Sequence, residues 1–267
     1  MSTVNAKGIL LHYTLEGPQD APVVVLAHSL GTTLALWSEQ VGALLPHYRV
    51  LRYDTRGHGA SGVPCGPYSL DQLGGDVVAL LDALSIPRAH FCGVSMGGLT
   101  GLWLGIHAPH RFLSLTLANT APRIATREGW LERADIVRRE GMQPVVDGAP
   151  ARWFTAAFAN EQPERLEGVL EQLRHCPPEG YAASCEALAK ADLSALIGHI
   201  RLPTLLIAGV HDPVTTPQDA DRMAQAIGNA RRVDLQVSHI SNVEAAQAFN
   251  DALLSSLMMR ESAKTLG

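Results

Sequence analysis

One serine stands where a nucleophile would be placed. Ser95 lies in Gly93-Val94-Ser95-Met96-Gly97-Gly98, between a short apolar run and a segment with helical spacing. A G-x-S-x-G sequence between a strand and a helix is typical of a nucleophile elbow, whose strained turn displays the hydroxyl at the carboxyl edge of a sheet. The small glycines allow the strand and the helix to approach without side-chain clashes. We predict that Ser95 is a nucleophile for acyl transfer; the alternative is a tight turn with a structural role only.

A serine hydroxyl needs a general base, and the base needs an acid to orient it. His239 follows an apolar run late in the chain, and Asp212 follows an earlier one in Gly209-Val210-His211-Asp212-Pro213. Both positions agree with the order serine, acid, histidine. Asp234 is closer to His239 in sequence, but it lies inside a predicted strand, so we prefer Asp212. Structural roles in turns and at helix ends are expected for three other histidines, His58, His107 and His110.

Acyl transfer also requires N–H donors for the developing oxyanion. Met96 N is one candidate, because it opens the helix that follows the serine. The second candidate is Leu30 N, in the loop His28-Ser29-Leu30-Gly31-Thr32 after an apolar strand. His28 and Ser29 are interpreted as residues that hydrogen-bond within this loop.

Short apolar runs alternate with amphipathic segments, a pattern that predicts an α/β fold whose central sheet is mostly parallel and has helices on both faces. The predicted strands are Ile9–Leu15, Val23–Ala27, Tyr48–Tyr53, Ala89–Gly93, Leu113–Ala118, Leu205–Ala208 and Arg232–Val237. The predicted helices are Leu70–Leu84, Gly97–Ala108, Pro217–Ile227 and Val243–Met258.

Residues 121–193 show helical spacing and no convincing strand, so we predict a helical cap inserted into a core of residues 1–120 and 194–267. Several of the chain's few aromatic residues lie in this insertion: Trp130, Trp153, Phe154 and Phe158. Such aromatics either bury the inner face of the cap or line a pocket beneath it.

Composition excludes several classes of protein. The chain has 267 residues, with 21 Lys+Arg, 26 Asp+Glu and a net charge of −5, so nucleic acid is not an expected partner. No apolar stretch approaches the roughly 18 residues of a membrane span, and the first residues do not resemble an export signal. The four cysteines form no C-x-x-C pair, which indicates reduced thiols and a cytoplasmic location and argues against a structural metal site.

With these motifs in order, the sequence resembles the α/β-hydrolase fold superfamily over essentially its whole length. Within it, the sequence is most similar to 3-oxoadipate enol-lactonases, which are carboxylic ester hydrolases of the β-ketoadipate pathway of aromatic compound catabolism. The similarity rests on five segments outside the acid loop: Cys92–Gly98, Leu117–Ala121, Ala151–Thr155, Gly180–Ala182 and Ser238–Glu244, together with the pair Trp130-x-x-Arg133. The resemblance implies hydrolysis of a five-membered unsaturated lactone with a carboxymethyl group, without metal or organic cofactor.

A carboxylated lactone needs a cation in its pocket, and a guanidinium can make a bidentate contact with a carboxylate. Arg133 is our candidate, and Trp130, one helical turn earlier, is the candidate apolar wall. The alternative is a solvated arginine on a surface that also carries Arg127, Arg138 and Arg139.

Three other functions remain compatible with the sequence. A carboxylesterase or perhydrolase would keep the same catalytic residues and accept neutral esters. A carbon–carbon bond hydrolase would cleave coloured dienoates. A hydrolase-fold receptor would keep Ser95, Asp212 and His239 and bind a ligand with a partner protein. The sequence does not determine the oligomeric state.

Overall fold

The computed structural model describes residues 2–265, in which one eight-stranded sheet carries the helices. The strands are β1 (Ser2–Ala6), β2 (Ile9–Glu16), β3 (Val23–Ala27), β4 (Arg49–Tyr53), β5 (Ala89–Val94), β6 (Phe112–Ala118), β7 (Thr204–Gly209) and β8 (Ala230–Leu235). The α-helices are α1 (Ser38–Leu44), α2 (Leu70–Ala83), α3 (Met96–His107), α4 (Arg127–Glu140), α5 (Gln143–Trp153), α6 (Ala156–Glu161), α7 (Pro163–Arg174), α8 (Pro178–Lys190), α9 (Pro217–Ala226), α10 (Ser241–Glu244) and α11 (Ala246–Thr265).

The sheet has the order β1-β2-β4-β3-β5-β6-β7-β8. Strand β2 is antiparallel to both neighbours, and the six strands from β4 to β8 along the sheet are parallel. Every residue of β3, β5 and β7 is buried, which is why these strands read as continuous apolar runs. The carboxyl ends of the parallel strands therefore meet at one edge of the sheet.

The helices of the core pack on the sheet in separate groups. Helix α1 packs against α11, whereas α2 packs against α3, which also contacts β5 and β6. Capping explains the start of α2, because Ser69 Oγ accepts from Gln72 N while Gln72 Oε1 accepts from Ser69 N. The predicted fold class is confirmed.

Helices α4 to α8 follow one another between β6 and β7 and are called the cap below. Within it, α4 packs extensively against α8. Arg138 of α4 joins the two helices by bidentate contacts of 2.7 to 3.1 Å with Glu179 and Glu186.

A buried ion pair anchors the turn after β4 to α2. Arg56 donates from Nε and Nη2 to the two carboxylate oxygens of Asp76, each over 2.6 Å. Burial raises the pKa of Asp76, and the adjacent Arg56 opposes that rise. If one partner were removed, the other would remain a buried charge without bulk water to solvate it.

One strand was not predicted, and two predicted elements differ from the structure by more than a residue at an end. The sequence reading missed β1, whose residues are mostly exposed and polar and carry no apolar pattern. The predicted helix Val243–Met258 is helical except at Ala245, whose φ of −125° and ψ of 57° separate α10 from α11. The predicted strand Arg232–Val237 starts and ends two residues too late, because the chain leaves the ladder after Leu235. Among the described residues, none of the helices has the length and apolar character to cross a membrane.

Candidate active site

Ser95 occupies a strained turn between β5 and α3. Its backbone has φ 57° and ψ −116°, which a residue with a Cβ rarely adopts. The packing around the turn requires glycine: a Cβ on Gly97 would lie 2.2 Å from the carbonyl oxygen of Ala27, and one on Gly93 would lie 2.3 Å from that of Gly97. The geometry is that of the predicted elbow.

Ser95, His239 and Asp212 form one hydrogen-bonded chain. His239 Nε2 lies 2.9 Å from Ser95 Oγ, and His239 Nδ1 lies 2.8 Å from Asp212 Oδ2. All three residues are buried, with exposed fractions of 6 %, 2 % and 3 %. The Asp212 carboxylate can only accept a hydrogen bond, so His239 carries its proton on Nδ1. Nε2 is then free to accept the serine proton.

Asp212 is held by five hydrogen bonds. Besides His239, Oδ2 accepts from Thr215 Oγ1 at 2.7 Å and from Asn119 Nδ2 at 3.0 Å. Oδ1 accepts from the backbone N–H groups of Val214 and Thr215, at 2.7 and 3.1 Å. Burial tends to raise the pKa of Asp212, but the facing His239 and the donated hydrogen bonds outweigh it, so the pKa lies below its usual value.

Asn119 and Thr215 have contacts that the sequence reading did not assign. Asn119 has φ 45°, and it also donates from Nδ2 to the carbonyl of Ser238 at 3.0 Å. One signal could have revealed Asn119: it directly follows β6, so it lies at the same sheet edge as Ser95 and Asp212.

The rival acid and bases lie elsewhere. Asp234 is exposed on β8 and pairs with Arg232 at 2.6 Å. His107 and His110 lie at the end of α3 and in the turn after it, and the His107 ring packs at a tilt of 37° against Trp103, with 4.8 Å between ring centroids.

The loop after β3 is held by two buried histidines. Gly31 N donates to His58 Nε2 at 3.0 Å, and His58 Nδ1 lies 3.1 Å from the carbonyl of Arg56. His28 has the same arrangement, with Nε2 accepting from Thr55 N at 2.9 Å and Nδ1 lying 2.8 Å from the Ser29 carbonyl. A ring nitrogen facing a carbonyl must donate and one facing an N–H must accept, so both rings are neutral with the proton on Nδ1.

The predicted oxyanion donors belong to the residue after Ser95 and to a residue of its pocket. Met96 N opens α3 immediately after Ser95, and the first N–H groups of a helix have no partner within it. Leu30 lines the same pocket as Ser95. In the Leu30 loop, the N–H groups of Gly31 and Thr32 are already used, by His58 and by the Ser29 carbonyl, which favours Leu30 N as the donor.

A pocket of about 120 Å³ opens onto Ser95 and His239. The cap supplies much of its wall. The cap side chains that line it are Trp130, Arg133, Arg152, Trp153 and Tyr181. Phe154 and Phe158, by contrast, stack on each other at 4.8 Å between ring centroids and are buried away from this wall.

Two cap arginines enter the pocket. Arg133 and Arg152 are half-buried, and within residues 2–265 neither one forms a salt bridge with an acidic side chain. Arg133 lies over the Trp130 ring, 4.8 Å from its centroid. Burial and the positive charge of Arg133 both lower the pKa of Arg152. Arg152 also donates to the Val145 carbonyl at 3.2 Å. Two neighbouring guanidinium groups that have no carboxylate partner among the described residues favour an anion between or beside them. Arg133 was predicted from the sequence as a substrate-binding cation, whereas Arg152 was not. Arg152 comes close to Arg133 only because the chain turns between α4 and α5.

Comparison with known proteins gives the family. The sequence matches the alpha/beta hydrolase fold family over residues 22–246. The chain belongs to this family. A curated relative of this α/β hydrolase is 3-oxoadipate enol-lactonase 2 of Acinetobacter baylyi, which is 47 % identical over 251 residues, or 94 % of each chain.

Solved structures of similar proteins have the same fold. The crystal structure of the enol-lactonase from Burkholderia xenovorans LB400 has a TM-score of 0.95 and 46 % identity, covering 96 % of this α/β hydrolase and 100 % of that chain. A thermophilic esterase from Thermogutta terrifontis, solved with malate bound, has a TM-score of 0.91 and 25 % identity, with 97 % of both chains covered. The resemblance to 3-oxoadipate enol-lactonases noted in the sequence is confirmed.

Proposed function

We propose that this α/β hydrolase opens the ring of 3-oxoadipate enol-lactone to give 3-oxoadipate, through an acyl-enzyme on Ser95. The observation that carries the proposal is that one pocket contains both the Ser95–His239–Asp212 chain and two cap arginines that, among the described residues, have no carboxylate partner. Relatives at 46 % to 47 % identity that are named enol-lactonases support the same substrate.

In the first half-reaction, His239 Nε2 removes the Ser95 proton as Oγ attacks the lactone carbonyl. The N–H groups of Leu30 and Met96 stabilise the tetrahedral oxyanion. The ring C–O bond then breaks, and the proton on His239 passes to the departing enol oxygen. The enol remains part of the acyl group on Ser95 and tautomerises to a ketone, which makes reclosure unfavourable.

In the second half-reaction, His239 deprotonates a water molecule that attacks the acyl-enzyme. The Ser95 ester bond breaks, the serine oxygen regains its proton, and the carboxylic acid leaves. Asp212 keeps the imidazole oriented and stabilises its protonated form throughout. These steps require no metal or organic cofactor.

The carboxymethyl group of the substrate is assigned to the cap. Arg133 binds its carboxylate, with Arg152 close enough to share the charge, and Trp130 supplies an apolar wall.

We further propose that residues 121–193 act as a cap unit on a core formed by residues 1–120 and 194–267. The assignment of substrate recognition to this unit follows from the five cap side chains that line the pocket.

The first test follows the ultraviolet absorbance of 3-oxoadipate enol-lactone with the purified protein and with Ser95→Ala. Rapid loss with the parent and none above background with the variant is expected. No loss with the parent, together with brisk hydrolysis of p-nitrophenyl acetate, would reassign the protein as an esterase. Bleaching of a coloured dienoate would instead support a carbon–carbon bond hydrolase, and a slow single turnover with a persistent adduct would support a receptor.

A second test addresses the carboxylate. Arg133→Leu and Arg152→Leu are compared with Arg139→Leu, which alters an exposed arginine of the same cap that pairs with Glu140. Each pocket variant should lose roughly 10- to 100-fold in kcat/KM for the carboxylated lactone and far less for its neutral methyl ester. An equal loss for both lactones would remove the arginines from carboxylate binding.

A reducing compartment is proposed for the protein. All four cysteines are free thiols, and Cys92, Cys176 and Cys185 are buried. Burial raises the pKa of each buried thiol, which keeps these groups protonated and unreactive. Subcellular fractionation should recover the protein with cytoplasmic markers.

A further inference from the structure

The backbone of the cap is bonded directly to the loop that carries His239. The carbonyl of Trp153, the last residue of α5, accepts from both His239 N and Ile240 N, each at 3.0 Å. The Trp153 side chain lines the pocket beside Ser95. One cap residue therefore contacts both the substrate space and the main chain of the proposed base.

Glu244 forms a second tie between the same two segments. Its Oε2 accepts from Ser238 N at 2.8 Å, one residue before His239. Its Oε1 accepts from Thr155 N at 3.1 Å and also from Thr155 Oγ1. Thr155 is the N-terminal cap of α6, two residues after Trp153.

The position of Glu244 depends on the break in the C-terminal helical region. Glu244 ends α10, and Ala245 departs from helical geometry before α11 begins. Within the part of the chain that the structure describes, Glu244 takes part in no salt bridge, and both of its oxygens are used on N–H and O–H donors of the cap and the histidine loop.

We propose that Glu244 is a positioning residue for His239. Its carboxylate holds the junction of α5 and α6 against the histidine loop, so that the base is aligned only while the cap is bound to this loop. This inference rests on the proposed role of His239 as the general base. The alignment it protects is tight, because Nε2 must stay within hydrogen-bond reach of Ser95 Oγ, now 2.9 Å away.

A carboxylate is required at this position for a chemical reason. Every group that faces Glu244 in these contacts is a donor, and a carboxylate is the acceptor-only side chain. In Glu244→Gln, the amide NH₂ would face either Ser238 N or Thr155 N, which replaces one hydrogen bond with two opposed donors. The side-chain volume and the helix break would be nearly unchanged.

The experiment measures kcat and KM of Glu244→Gln with the enol-lactone and with p-nitrophenyl acetate, alongside the thermal midpoint. Because displacing a reacting group by about 1 Å can cost roughly 100-fold, we expect kcat to fall about 10- to 100-fold for both substrates, with a smaller change in KM. Glu179→Gln is the matched control, since it weakens the pair with Arg138 inside the cap and contacts no part of the histidine loop. It should keep the parent kcat.

A purely structural role would lower the thermal midpoint and leave kcat of the folded variant unchanged, which would overturn the inference. If Glu244→Gln does not fold, Thr155→Val provides the test, because it removes the Oγ1 contact with Glu244 and keeps the backbone N–H contact. It also removes the N-cap hydrogen bond from Phe158 N, so the thermal midpoint is measured beside kcat. It should lower kcat by a smaller factor than expected for Glu244→Gln, and an unchanged kcat there would also refute the coupling. If the parent hydrolyses neither substrate, the proposed function fails; if the parent is active and the variants match it, only the role of Glu244 fails.

Discussion

Protonation of His58 is expected to destabilise the protein in mild acid. The ring is fully buried, its Nε2 accepts from Gly31 N, and its Nδ1 faces the Arg56 carbonyl. A proton on Nε2 would oppose the Gly31 N–H and place a charge in the interior. Burial and the neighbouring His28 accordingly lower the pKa of His58 to about 3.

The sign and size of the effect follow from proton linkage. An unfolded histidine has a pKa of about 6.5, so between that value and about 3 the unfolded state binds a proton that the native state excludes. The contribution of His58 to stability is therefore complete above the unfolded pKa and is lost as the pH falls toward 3. At about 1.36 kcal/mol for each unit, the loss between pH 7 and pH 5 is about 2 kcal/mol from His58 alone.

The assay is urea unfolding at these two pH values, with the free energy of unfolding extrapolated to water. His58→Gln keeps an oxygen that can accept from Gly31 N but removes the titration. The difference in unfolding free energy between pH 7 and pH 5 should be smaller in this variant by about 2 kcal/mol. The exposed His47→Gln should leave the difference at the parent value. An identical pH dependence in the parent and in His58→Gln would refute the reasoning, because a histidine that does not resist protonation cannot couple stability to pH.

Three further predictions concern the elbow, the acid and the buried ion pair. Gly97→Ala should abolish lactone hydrolysis, because its Cβ would lie 2.2 Å from a backbone oxygen of β3; normal initial rates would contradict the steric argument. Asn119→Ala should lower kcat about 10-fold with KM nearly unchanged, because Asp212 loses one of its donors; a change confined to KM would place Asn119 in substrate binding instead. Asp76→Asn should lower the free energy of unfolding in urea by about 3 to 5 kcal/mol, because it leaves the buried Arg56 charge unpaired; a loss below about 1 kcal/mol would mean that water reaches the guanidinium.

Local sequence was enough wherever neighbouring residues determine the structure. Val23–Ala27 was predicted with its bounds, because five consecutive apolar residues bounded by turn residues form a buried strand. The elbow at Ser95 could also be predicted, since the strand, the turn and the glycines that permit it lie within one short segment. Asp212 and His239 followed from chain order, because the strands they follow end at the same edge of the sheet.

Contacts between distant segments were not accessible in this way. Asn119 reaches Asp212 across 93 positions, and the Trp153 carbonyl meets the N–H of His239, which is far along the chain. The periodicity or motif of one segment does not indicate which side chains of a distant segment will contact it. The break at Ala245 was missed for the same reason, because the Glu244 carboxylate beside it binds donors from two other segments.

The sequence by itself therefore determined the fold class, the family and the residues suited to acyl transfer, since each depends on local patterns in a known order. The tertiary structure alone decided which cap side chains share the pocket with Ser95. Arg152 lies beside Arg133, and the cap is hydrogen-bonded to the histidine loop, because of how α4, α5 and α6 turn over the sheet edge. Hydrogen bonds and charge interactions depend on distance in space, whatever the separation along the chain.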